Sequence, residues 1–190
     1  MRVINFTIGC ILLILTISVT SSFATIGEVS ITSGSAVIDR QDGDKGITVE
    51  KELDIFSYDT VKTGNGKVGI SFIDETRVDV TEHSKLIIDE FVYDPKTKTG
   101  SLTLKATLGT VRYASGQIAK NSKQNVKIST PTATIAVRGT DFAMTVNEIG
   151  GSTIVLLPSC DSNGSCYVGE IEVQTDAGFV IMNQAFQATI

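Results

Sequence analysis

From residue 60 onward, apolar side chains recur at every second position. Val68, Ile70 and Phe72 alternate with Lys67, Gly69 and Ser71. The same parity links Val78 with Val80, Leu86 with Ile88, Leu102 with Leu104, Ala106 and Leu108, Ile135 with Val137, and Phe142 with Met144 and Val146. Successive side chains of an extended chain point to opposite faces, so this period buries one face of a strand and leaves the other to solvent. A chain patterned in this way folds into sheets.

Turn signals separate the alternating runs: Gln41-Asp42-Gly43-Asp44, Gly64-Asn65-Gly66, Asp74-Glu75, Asp94-Pro95-Lys96 and Asn147-Glu148-Ile149-Gly150-Gly151. They break the chain about every ten residues, the spacing of an all-β domain. No stretch of a dozen residues carries three-and-four spacing with caps, and abundant Val, Ile and Thr favour pleated surfaces. Helix content is therefore predicted to be very low. Gly27-Glu28-Val29, Gly109-Thr110-Val111 and Gly169-Glu170-Ile171 repeat a glycine-led start, each read as a return strand after a turn. Frequent reversals with small residues at corners suit a β-sandwich or a β-solenoid, and the pattern leaves both open. No linker or low-complexity tract interrupts the chain, which points to one domain over residues 25–190.

The N-terminus differs in kind. Arg2 is followed by an apolar run from Val3 to Val19 without a charge, and Ser22-Phe23-Ala24 supplies small residues for a signal peptidase. Residues 1–24 are predicted to be a secretory signal peptide cleaved after Ala24, which makes the protein periplasmic or secreted. A lipoprotein would use Cys10, but the apolar sequence continues through Leu15. The rival is an uncleaved anchor, for which the run is short. On this reading the membrane is met only through the targeting segment.

The chain is acidic, with a formal net charge of -5 and no basic cluster, so it lacks the footprint that phosphate backbones require. Nucleic acid is not an expected partner. Cys160 and Cys166 bracket the turn-forming Asp161-Ser162-Asn163-Gly164-Ser165, and in an oxidising compartment they are expected to pair. Closing so short a loop stabilises by roughly 2 kcal/mol, and locally.

Chemistry is scarce. A Ser/His/Asp hydrolase would have to use His83, the only histidine, which lies in the polar turn Thr81-Glu82-His83-Ser84 without a Gly-x-Ser-x-Gly elbow. A single histidine also argues against zinc. Asp39, Asp42 and Asp44 put oxygen donors around Gly43, but without the bidentate Glu of an EF-hand, and acidic turns are ordinary on β proteins. Gly64-Asn65-Gly66-Lys67 lacks the longer phosphate-loop spacing and reads as a hairpin turn. No catalytic residue, metal ligand or cofactor site is expected.

Two stretches carry a resemblance. The first is Asp59-Thr60-Val61-Lys62-Thr63-Gly64-Asn65-Gly66-Lys67-Val68-Gly69-Ile70-Ser71-Phe72, followed by Thr76-Arg77-Val78-Asp79-Val80. The second is Thr130-Pro131-Thr132-Ala133-Thr134-Ile135-Ala136-Val137-Arg138-Gly139-Thr140-Asp141-Phe142, preceded by Gly109-Thr110-Val111-Arg112-Tyr113. Together they resemble a FecR-type domain, closely over 59–146 and more loosely from Ile26 to Ile190. The resemblance implies a bacterial envelope protein, and it makes Thr63, Gly64, Thr130, Pro131, Arg138, Gly139, Thr140 and Phe142 structural motif residues. Full regulators of that family join a cytoplasmic anti-sigma segment, a membrane helix, this β domain and a receptor-contacting part. Here only Met1 and Arg2 precede the apolar run and the chain stops soon after the β pattern, so a standalone exported member is expected.

Arg138-Gly139-Thr140-Asp141-Phe142 is the sharpest motif. The glycine suggests a bend at which Arg138 folds back over the core, its planar guanidinium bonding Asp141 or Glu170. The functional expectation is a non-enzymatic interaction or scaffold module for an unidentified envelope protein, pairing along an exposed sheet edge. A homo-oligomer, a periplasmic sensing component acting through a membrane partner, and a ligand- or glycan-binding protein are the alternatives, the last weakened by the absence of tryptophan.

Overall fold

A computed structural model of the chain describes residues 24–122, 124–161 and 163–190. Residues 1–23, and with them the expected export segment and Cys10, lie outside the described residues. The chain lays down β1 (Gly27–Ser33), β2 (Ala36–Asp39), β3 (Ile47–Thr48), β4 (Asp54–Ile55), β5 (Thr60–Thr63) and β6 (Lys67–Phe72). β7 (Arg77–Val80), β8 (Lys85–Asp94) and the long β9 (Thr99–Ala114) follow, then a short helix α1 (Gln117–Asn121). Next come β10 (Val126–Ser129), β11 (Thr134–Arg138), β12 (Asp141–Val146) and β13 (Ser152–Leu157). A small ribbon of β14 (Ser159–Cys160) and β15 (Cys166–Tyr167) precedes β16 (Glu170–Thr175), β17 (Gly178–Met182) and β18 (Ala188–Thr189). The protein is all-β, as its alternation predicts.

The pairings form two layers. One runs β4-β1-β6-β7-β9-β12-β13-β18. The other runs β3-β2-β5-β8-β9-β10-β11-β16-β17. Their inward side chains form one continuous apolar core, from Val29, Ile70 and Val78 of the first layer to Ile38, Leu86 and Ile135 of the second. Across it the Phe72 and Phe91 rings stack with centroids 5.4 Å apart. Within each layer the strands follow chain order, with local inversions only at β4/β1 and β3/β2. The architecture thus combines the two forms that the sequence leaves open: a two-layer sandwich threaded as successive coils, the chain crossing between layers as it advances.

β9 belongs to both layers. Its residues 99–108 pair with β8, whereas 109–113 pair with β12 and 111–114 with β7. Between them Gly109 takes a left-handed φ of 79°, and a Cβ there would lie 2.6 Å from the Ser84 Cα. Only glycine fits such a backbone without strain. The burial parity flips across this point: Leu102, Leu104 and Ala106 are buried, then Val111 and Tyr113. Leu108, expected in the core by its parity, is instead 36% exposed. Gly109 also does not begin a return strand; it is the point inside one strand at which the chain changes layers.

The Gly64-Asn65-Gly66 segment is likewise not a hairpin, because β5 and β6 lie in different layers. It is a crossover packed on the β1–β2 crossover: a Cβ on Gly34 would sit 2.1 Å from the Asn65 carbonyl oxygen.

Candidate functional site

The two motifs form corners of the sandwich. At the first, the buried Thr63 hydroxyl donates to the Thr81 carbonyl (2.5 Å) and accepts from the Ser84 N–H (2.9 Å). The Gly64 N–H donates to the Ser35 carbonyl at 2.8 Å, and the Gly64 carbonyl accepts from the His83 N–H at 2.9 Å. His83 itself is exposed. At the second corner, the Thr130 hydroxyl oxygen accepts from the Ala133 N–H (3.0 Å) and the Ser152 hydroxyl (2.7 Å), holding the turn that contains the exposed Pro131. At Gly64 these bonds satisfy backbone groups that the change of layer removes from the ladder, whereas those of Thr130 close the β10–β11 turn within one layer.

Gly139, with φ 72°, carries the chain from β11 in one layer to β12 in the other. Thr140, fully buried, accepts the Gly169 N–H on its hydroxyl at 3.2 Å while its carbonyl accepts from the Ser115 hydroxyl at 2.7 Å. Phe142 is fully buried against Tyr113, with ring centroids 5.4 Å apart. Arg138 does not fold back over the core. Its neighbours Ile135 and Val137 point inward, and the guanidinium lies on the outer face, bonded to Glu170 and, at 3.4 Å, to Glu172. Asp141, its other expected partner, instead faces Arg112 at 3.9 Å. The reason is register: Arg138 stands directly opposite Glu170 on the adjacent strand, whereas Asp141 lies beyond the bend.

Cys160 and Cys166 form the expected disulfide, joining β14 to β15. In the acidic loop the Asp39 carboxylate is bonded to Lys62 at 2.5 Å and to the Gly46 N–H at 2.9 Å, which holds it below the usual range. Asp42 accepts the Asp44 N–H at 3.3 Å. The loop borders a cleft of about 220 Å³ lined by Arg40, Phe56 and Asp59. Arg40 lies 4.4 Å above the centre of the Phe56 ring and 3.4 Å from the buried Asp59 carboxylate, which also accepts the Phe56 N–H at 3.0 Å. Burial pushes the Asp59 pKa up, against the pull of those two donors.

A buried polar cluster had no motif to announce it. Asp74, which the sequence suggests only as a turn residue, is wholly buried and accepts from the Thr76 N–H (3.0 Å), the Thr76 hydroxyl (2.8 Å) and the Ile118 N–H (3.2 Å). It thereby satisfies the start of α1, whose own cap residue Gly116 has no side chain to do so. Beside it the Tyr113 hydroxyl has no hydrogen-bond partner among the described residues; burial holds the phenol far above its usual range, against the nearby Thr76 and Ser115 hydroxyls.

The remaining candidate is a sheet edge. Among the described residues the two layers end in four strands paired on one side only: β3, β4, β18 and β17. The first three have two residues each. β17 has five, Gly178-Phe179-Val180-Ile181-Met182, without a charge or a proline. Phe179 is 70%, Val180 36% and Ile181 41% exposed. The usual protections of an edge, shortness, Lys, Pro or a bulge, are missing here.

No curated protein and no solved structure matches the chain. The model of the family described as FecR protein matches residues 59–158. That span begins at the buried Asp59, takes in both motif corners and both glycines of the layer change, and ends beside the disulfide ribbon. The chain belongs to the FecR family, a regulatory family of the bacterial envelope whose members act with membrane and receptor partners.

Proposed function

We propose that this chain is an exported, non-enzymatic FecR domain that works as a protein interaction module in the bacterial envelope, docking through the β17 edge. The observation that carries the reading is that edge itself: unpaired main-chain donors and acceptors on an uncharged five-residue strand, with apolar side chains on both faces. Such a strand offers main-chain hydrogen bonds for affinity and alternate side chains for selectivity. The motif residues around Thr63, Thr130 and Arg138 support it as scaffold, because their polar groups are engaged within the fold.

A photo-crosslinking side chain at Phe179 should yield protein adducts in living cells, while the same group at Thr48 on the short β3 edge should not. Equal yields at the two positions, or none at Phe179, would sink the reading. Family membership favours a second role on the same scaffold, in which the docked domain relays an envelope event to a membrane regulator. Deleting the chain should then change transcription of a regulated gene set, and an unchanged transcript profile argues for scaffolding alone.

A further inference from the structure

We infer that the β17 edge is built to pair with a second copy of this chain, forming an antiparallel dimer about a twofold axis through Val180. This rests on the docking reading of β17 and names its occupant. Antiparallel pairing centred on Val180 sets it against the partner's Val180, Phe179 against the partner's Ile181, and Gly178 against the partner's Met182. Every side chain stays on its own face of the sheet, because the centre of symmetry falls on a residue. The same patch is used on both copies, as a closed twofold dimer requires.

Charge selects this pairing. The chain carries a net -5, which opposes self-association in general, but Gly178–Met182 has no charge. The acidic residue of the adjoining turn, Asp176, falls opposite the partner's Gln184 in this register. A parallel arrangement would instead place two Asp176 carboxylates side by side. Like charges directly opposite one another are destabilising.

The inner face supplies the second argument. Val180 points between the layers but is 36% exposed, because β17 extends past the cover given by the two-residue β18. There it borders a groove of about 250 Å³ with Val173, Thr175, Thr189 and Ile190. A paired copy brings its own Val180 over this opening and joins the two long layers into one continuous sheet. Both faces of the edge become covered in one step.

Sedimentation equilibrium on the full chain, purified after expression with its own N-terminal segment, tests the dimer. The unaltered chain should show a reversible monomer–dimer equilibrium. Phe179→Lys/Ile181→Lys puts two like-charge pairs across the axis and should weaken association by about a hundredfold or more, with an unchanged melting temperature in dilute solution where both chains are monomeric. Phe179→Glu/Ile181→Glu should do the same, and mixing the two variants should restore dimers containing one copy of each. A chain that stays monomeric at every concentration overturns the inference, as does a mixture that fails to associate. Adducts of Phe179 to a different protein in cells would overturn the self-pairing while leaving the interaction reading standing; the absence of any adduct would remove both.

Discussion

The two ends of this sandwich are finished differently. At the β3/β4 end, edge strands are two residues long, a buried Asp59 ties Arg40 to the Phe56 backbone, and Arg40 covers the Phe56 ring. At the β17/β18 end, one layer outruns the other and Phe179, Val180 and Ile181 stand in solvent. Both ends expose open sheet edges, so the contrast cannot be attributed to the all-β class. One end is closed by specific polar contacts and the other is left apolar.

The comparison breaks most directly at Asp59. Asp59→Ala leaves the Phe56 N–H and a largely covered Arg40 without their acceptor, and should destabilise the chain by about 3 kcal/mol in denaturant titration. A change below about 0.5 kcal/mol would show that the closed end is not held by this contact.

Arg138 tests the connection between the ends. It is about one-third exposed on the outer face, bonded to Glu170 and Glu172, so Arg138→Lys should lose about 1 kcal/mol or less, read as a small fall in melting temperature by circular dichroism. An unchanged melt would show that its pairs with Glu170 and Glu172 add nothing to stability.

At the open end Phe179→Ser should alter monomer stability by no more than about 0.5 kcal/mol, because little of the ring is buried within one copy. A larger loss in dilute solution would mean that the edge is part of the core.

The last effect is in pH. Asp59 has its pKa raised above 3.8 by burial and Asp39 has its pKa lowered by Lys62. On acidification Asp59 therefore takes its proton first; the stability this contributes is fully present below 3.8 and is lost as pH rises through its folded pKa. Asp39 acts in the opposite sense: its contribution is present above 3.8 and disappears as pH falls through its lower folded pKa. Carboxyl carbon NMR should find the two midpoints on opposite sides of 3.8; the reverse order would contradict both environments.

Period-two alternation made much of the fold readable, since Val68, Ile70 and Phe72, and Ile135 and Val137, lie buried on the faces their parity assigns. The disulfide and the Arg138–Glu170 pair were also within reach of local reading. The limits appear where distant segments decide. Leu108 fails its parity because Gly109 turns β9 from one layer into the other, and nothing in the run itself marks the switch. Asp74 serves a helix start 44 residues away, a relation no spacing rule contains. Phe179-Val180-Ile181 reads as a strand, but whether it is interior or edge depends on the order of all the other strands.

Strand order along both layers also gives the molecule a direction. Because successive coils are added at one side, the fold has a starting end and a growing end, in the manner of a filament. Further coils could be appended beyond β17 and β18 without rerouting any earlier connection, so length can vary across a lineage by simple accretion.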